Sequence, residues 1–235
     1  MNQKHLLLMV AALFLSPSLW AQTFSYIYTG SAYTNFGNFT TPCGTGPCAN
    51  YVIGQKISGQ FTTASPLAPN LVNANIFPSV TSFSFSDGVN TYSSADTNSR
   101  AFEFQATTGP GGNITDWHLQ LDHWQSGSNP HSAGNRSAIL DTNLGGDTGV
   151  NDAACVTVAI SSPLTGVADV CNAYTVDAST SFGGTLANPG TWSFSTVSAP
   201  TPVALPTLSD YAMVVLWLLV AGFGVCAVGR RNGHR

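Results

Sequence analysis

The sequence predicts an all-β fold: an antiparallel two-sheet sandwich, jelly-roll-like, between an N-terminal signal peptide and one C-terminal transmembrane helix. Three observations carry this reading. Apolar and polar side chains alternate with a period of two in several runs, the spacing that buries one face of a strand and wets the other. The 235 residues include 23 glycines and 13 prolines, which favour turns over helix. Long uninterrupted apolar runs stand only near the two ends of the chain.

At the N-terminus, Lys4 and His5 precede an apolar run from Leu6 to Leu15, followed by Pro17 and a small residue, Ala21. A basic start, a short apolar core and a small residue at the cut describe a secretory signal peptide over residues 1–21. The run is too short to span a bilayer comfortably, which argues against an uncleaved anchor. No cysteine follows it, so a lipoprotein anchor is not expected.

Residues 22–197 form the extracytoplasmic β domain. Tyr51, Ile53, Ile57 and Phe61 share one parity, with Gln55 the exception. Phe83 and Phe85 alternate with serines, and Phe102 and Phe104 flank Glu103, which is expected to face solvent. Trp117, Leu119 and Leu121 alternate with His118 and Gln120, and Trp192 and Phe194 with Thr and Ser. About nine or ten strands are expected, enough for two layers. Asp87–Gly88 lies between two such runs and predicts a two-residue hairpin loop, with Ser86 opposite Val89 and Phe83 opposite Tyr92. Residues 198–204 read as a Pro-rich linker.

Charge excludes some functions. Only 8% of residues are charged, with 7 Lys+Arg against 11 Asp+Glu, where an ordinary globular chain has roughly 25%. In the β domain only Lys56, Arg100 and Arg136 are fixed cations. No basic stripe can form, and a nucleic-acid partner is not expected.

The C-terminal run, Tyr211 to Val228, is 18 residues without a charge, about 27 Å as a helix and adequate for a membrane span. Arg230, Arg231 and Arg235 follow in a basic tail over 229–235, which places that end in the cytoplasm and the bulk of the chain outside the inner membrane. Ahead of the span stands Leu205-Pro206-Thr207-Leu208-Ser209-Asp210. Ser209 or Asp210 can cap the first helical turn, but Thr207 and Leu208 have no such role.

Motif, apolar helix and arginine tail together resemble the IPTL-CTERM sorting tail, a relative of PEP-CTERM, over residues 205–235. Pro206, Thr207, Leu208, Ser209 and Met213 match that pattern; Leu205 replaces the usual Ile, Tyr211 the usual Trp and Ala212 a common Gly. The resemblance implies an envelope protein of Gram-negative bacteria whose partner is an exosortase-type membrane sorting enzyme. It would be anchored first in the inner membrane, then found in the cell envelope, at the surface or secreted. Three stretches, Ile57–Thr62, Phe83–Gly88 and Gly112–Trp117, loosely resemble β domains of PEP-CTERM-type secreted proteins, a likeness that favours a sandwich and implies no activity.

Of five cysteines, Cys226 falls in the span. The other four lie in an exported domain, where an even number favours disulfides. Three pairings are open to four cysteines. Local pairing selects Cys43–Cys48 and Cys155–Cys171, the latter joining directly opposed strand positions with Ser161–Thr165 as the loop. A zinc site built from four cysteines needs two close pairs, and only one is present, so no metal is expected.

His118, His123 and His131 fall within 14 residues, and with Asp116 or Asp122 could hold a metal or exchange protons. Yet no His-Glu-x-x-His, Gly-x-Ser-x-Gly or phosphate-cradling glycine loop accompanies them. They are read as histidines on a polar sheet face, and no catalytic residue or cofactor is assigned. Glu103 is the only glutamate, so a two-carboxylate glycosidase would have to use aspartates. Asp141, Asn143, Asp147, Asn151 and Asp152 crowd a Gly-rich stretch that lacks the EF-hand order and reads as a solvated loop. The expected function is that of an exported structural or matrix protein of the envelope, not an enzyme. The alternative is a secreted polysaccharide-binding module or glycan hydrolase acting on extracellular polysaccharide.

Overall fold

The computed structural model describes residues 23–39, 48–187 and 189–197. The expected signal peptide at 1–21, Cys43 of the expected Cys43–Cys48 pair, the expected linker at 198–204, and residues 205–235 with the expected sorting motif, span and basic tail lie outside the described residues. So does the second of the two units into which the chain divides, Pro200–Arg235. Among the described residues no helix is long and apolar enough to cross a membrane.

The described residues are all-β apart from one 3-10 turn, Phe77–Ser79. In chain order the strands are β1 (Thr23–Thr29), β2 (Asn35–Gly37), β3 (Ser58–Thr63), β4 (Ala74–Asn75), β5 (Val80–Ser86), β6 (Thr91–Ser93) and β7 (Ser99–Thr108). Then follow β8 (Ile114–Trp124), β9 (Arg136–Asn143), β10 (Gly146–Ser161), β11 (Ala168–Thr175), β12 (Ser181–Gly184) and β13 (Thr191–Val197). One sheet has the order β13-β1-β3-β5-β6; the other has β2-β12-β10-β9-β8-β7-β4, with β11 also paired to β10. Every pairing is antiparallel. The expected two-sheet architecture is present, although β7 to β10 run as a meander within one sheet rather than in the interleaved order of a jelly roll.

Alternation explains the core. Tyr26, Tyr28, Phe61, Phe83 and Phe85 of the first sheet meet Phe104, Trp117, Leu119, Leu121 and Leu140 of the second, all buried. Rings cross the interface edge-on: Phe61 and Phe104 are 5.2 Å apart between centroids, Tyr28 and Trp117 5.5 Å. Such T-shaped pairs add to the free energy of burial. The opposite face of the first sheet has a different character. Cross-strand rows place Ser195, Ser25, Thr62 and Ser82 together, then Ser193, Ile27, Gln60, Ser84 and Ser93, then Thr191, Thr29, Ser58, Ser86 and Thr91. These rows contain no charged residue.

Several expectations are corrected. The loop of the β5–β6 hairpin is Gly88–Val89, one residue later than expected: Ser86 faces Thr91 and Phe85 faces Tyr92. The reason lies in the Asp87 carboxylate. It is fully buried, accepts the N–H groups of Val89 and Asn90 at 2.8 and 2.6 Å, and accepts the Tyr51 and Tyr92 hydroxyls at 2.7 and 2.8 Å. A residue so engaged cannot occupy the turn tip, and Gly88 at φ +92° takes the left-handed position instead. Tyr51 and Ile57 are buried as expected, but Ile53 is 89% exposed, because the chain turns at Gly54 and the strand begins only at Ser58.

Phe102 and Phe104 do not share a face. A β-bulge between Ala101 and Glu103 breaks the alternation at Phe102; Phe104 points to the core, and Glu103, on the other side as expected, is buried beside His118 rather than exposed. The stretch from Asp141 to Asp152 is not a loop: β9 and β10 run through it, with Asn143 facing Gly146 across a tight turn. Cys155 and Cys171 are bonded, with Cα atoms 5.7 Å apart. Their strands, however, pair Cys155 with Tyr174 and Val158 with Cys171, and an irregularity after Cys155 brings the two cysteines together. The connecting loop is therefore longer than Ser161–Thr165. It is closed by the Ser162 N–H donating to Val167 O at 2.7 Å and held by the Ser162 hydroxyl, which accepts from the N–H groups of Leu164 and Thr165.

Candidate functional site

The three histidines do not converge, and none bonds Asp116 or Asp122. His118, outward on β8, lies between Glu103 Oε1 at 3.1 Å from Nδ1 and Asp141 Oδ2 at 3.4 Å from Nε2. The Asp141 contact raises the His118 pKa above its ordinary value, while burial raises that of Glu103. His123 lies 3.1 Å from Asp96 Oδ2 and 3.4 Å from the Ser99 hydroxyl. Asp116 accepts its neighbour's N–H, from Trp117 at 2.7 Å. Asp122 is fully buried beneath β11, where it accepts the Cys171 N–H at 3.2 Å, and burial pushes its carboxyl up to about 7.

The oxygen-rich residues of 141–152 are distributed rather than gathered into a cage. Asp147 points inward and accepts the Tyr28 and Thr142 hydroxyls, each at 2.6 Å. Asp152 accepts Arg136 Nε at 2.9 Å, and the same guanidinium donates to both oxygens of Asp177 at 2.7 and 3.0 Å. Arg136 thereby holds the Asp177 carboxyl well below the usual carboxylate range. Asn143 donates to Asp141 at 3.0 Å, and Asn151 belongs to a buried amide network with Gln125 and Asn90.

His131 is placed differently. The chain after β8 returns across β11, and the His131 N–H and Nδ1 lie 2.8 and 2.7 Å from the two oxygens of Asp169. Asp169 has a left-handed backbone at φ +59° and also accepts Arg100 Nη2 at 3.1 Å. Burial alone would raise its pKa, but the bonds from His131 and Arg100 win and hold it below the ordinary value. Trp124 stacks flat on the imidazole at 4.2 Å and 3°, and its indole N–H donates to Asp169 O at 2.8 Å. Behind Trp124 sits the Cys155–Cys171 disulfide. Each component is thus held from several directions.

Because ionised Asp169 can only accept, the Nδ1 of a neutral His131 carries the proton and Nε2 the lone pair. The His131 side chain is 2% exposed, and Nε2 has no bonding partner in the protein, yet it is not one of the enclosed unpartnered atoms. His131 lines a cleft of about 320 Å³ together with Asp169, Asn129, Pro130, Val158, Ile160 and Ala168. The partnership with Asp169 has no signature in the sequence, since the two residues are 38 positions apart. The nearest clue is Cys171, whose disulfide anchors the strand that carries Asp169. Compared with protein-family models, curated proteins and solved structures, the chain matches none.

Proposed function

We propose that the protein is an exported structural or matrix component of the cell envelope, delivered by its C-terminal tail. The observation that carries this reading is the charge-free outer face of the first sheet, whose rows from Ser195 to Ser82, Ser193 to Ser93 and Thr191 to Thr91 hold hydroxyls, one amide and a single Ile. Such a face exchanges hydrogen bonds with hydrated, polyhydroxylated polymers. It offers nothing for acidic polymers to bind electrostatically, and its contacts are little affected by salt. Supporting it are the signal-peptide pattern at 1–21, the span at 211–228 flanked by Arg230, Arg231 and Arg235, and the resemblance at 205–235. An exosortase-type enzyme acting at Leu205–Ser209 would release the chain from the inner membrane.

Fractionation of the native host tests this. With Pro206, Thr207 and Leu208 all changed to Ala, the chain should insert but accumulate unprocessed in the inner membrane. If the variant is processed and localised like the parent, the tail is only an anchor.

A second reading, a secreted polysaccharide-binding module or hydrolase, is favoured by the His131 cleft. Turnover of a polysaccharide that is lost on substituting aspartates would replace the structural reading with the hydrolase one.

A further inference from the structure

We infer that the cleft beside His131 binds one neutral pyranose unit, with His131 Nε2 accepting a sugar hydroxyl and Ile160 and Pro130 packing on the apolar face of the ring. The inference rests on the polysaccharide-binding reading above and is independent of the sorting tail.

Four features point to this ligand. The first is size: about 320 Å³ lies at the lower end of small-molecule sites and accommodates a sugar ring rather than an extended polymer segment. The second is charge. The carboxylate of Asp169 is already paired with the Arg100 guanidinium, so neither an anion nor a cation gains a free counter-charge. The third is a fixed acceptor. Asp169 and the Trp124 ring lock the imidazole, so in a neutral His131 Nε2 is an oriented lone pair that a ligand with a hydroxyl donor satisfies and a hydrocarbon leaves bare. The fourth is the apolar part of the lining. Val158, Ala168 and Ile160 are aliphatic, and Ile160 is 94% exposed, an apolar side chain set on the surface next to a buried polar one. A pyranose has this same division between a C–H face and a hydroxyl edge. The exposed Asn129 amide at the rim can bond a second hydroxyl.

A metal ion does not fit. The cleft contributes one imidazole nitrogen and the Asp169 carboxylate, whose oxygens already accept from His131 and Arg100, and among the described residues no cluster of His, Cys, Asp and Glu has the arrangement to hold a metal.

The test is ligand-observed saturation-transfer NMR on the full chain, in a detergent without sugar headgroups. The probes are the methyl α- and β-pyranosides of glucose, galactose and mannose. At least one should receive saturation at its ring protons, with millimolar affinity. His131→Asn keeps a donor toward Asp169 but lacks the Nε2 lone pair, and Ile160→Asp changes a side chain that the fold does not bury. Each should weaken binding by about tenfold, the loss of one good contact. Saturation of no probe, or binding of parental strength in either variant, overturns the inference. A linear dextran at equal sugar concentration distinguishes the two sources of the sugar: binding of polymer identifies a unit within a chain, and binding of methyl pyranoside alone identifies a free sugar or chain end. If localisation is normal while sugar binding is absent, the cleft assignment fails and the sorting reading stands.

Discussion

Asp122→Asn should stabilise the domain at neutral and alkaline pH while leaving it nearly unchanged in acid. Asp122 is fully buried and accepts the Cys171 N–H at 3.2 Å, and burial moves its carboxyl from 3.8 up to about 7. A carboxyl raised in this way favours the fold while it is protonated. Its contribution is complete below the unfolded-state value and is lost as the pH rises through the folded one, from about pH 4 to about 7. Each unit of pH across that window costs 1.36 kcal/mol, so ionising the group in place costs about 4 kcal/mol. Asparagine keeps an oxygen for the Cys171 N–H and has no charge to desolvate. Urea unfolding of parent and variant at a series of pH values, with the disulfide intact, gives the difference directly, because the other titrating groups cancel. The gap in midpoint should open between pH 4 and 7 and plateau above, at constant m. A parent–variant difference that is flat with pH would refute the assignment of a high pKa to this carboxyl. A difference of opposite sign would mean that ionised Asp122 is stabilised by Arg100 more than burial penalises it.

Three further outcomes follow from packing and cross-linking. Cys171→Ala removes the bridge across a 16-residue separation and should cost about 3 kcal/mol, read as a lower urea midpoint; a midpoint equal to the parent's would refute it. Asp87→Ala strips the acceptor from two buried tyrosine hydroxyls and two turn N–H groups, a loss of at least about 3 kcal/mol in the same assay. Asp87→Asn should lose less, since it retains one acceptor. Gly149→Ala introduces a methyl 2.8 Å from the Asp87 Cβ and 2.9 Å from the Tyr33 and Tyr51 hydroxyls, overpacking that should cost about 1–3 kcal/mol; a variant as stable as the parent would show that the Asp87 pocket has slack.

How far the structure is legible in the sequence depends on the range of the forces involved. The β8 pattern of Trp117, Leu119 and Leu121 is legible because strand alternation is local: each residue's face follows from its neighbours. The Cys155–Cys171 bridge is legible from cysteine number and proximity in an exported chain, although its register is not: the strands pair Cys155 with Tyr174 and Val158 with Cys171, three positions from direct opposition. Alternation puts Glu103 on the face away from Phe104, where it lies, but that face is not solvent: His118 pairs with Glu103, and the segment after β10 bonds to β7 through the Ser162 and Thr165 hydroxyls. Nothing in the neighbouring residues announces that cover, or the bulge at Phe102.

By itself, then, the sequence determined the β character, the two-layer burial of aromatic side chains, the low charge and the bridging cysteines, all consequences of composition and short-range periodicity. Tertiary structure alone decided where the ionisable groups went. Asp87 left the turn tip to serve Tyr51 and Tyr92, Asp147 turned inward to Tyr28, and His131 found Asp169 rather than the aspartates nearest it in the chain. A buried carboxylate must find donors wherever the packed strands supply them, because leaving it unpaired costs more than any local preference can return. Those donors come from strands far apart in sequence, and only the registers of the two sheets bring them within reach.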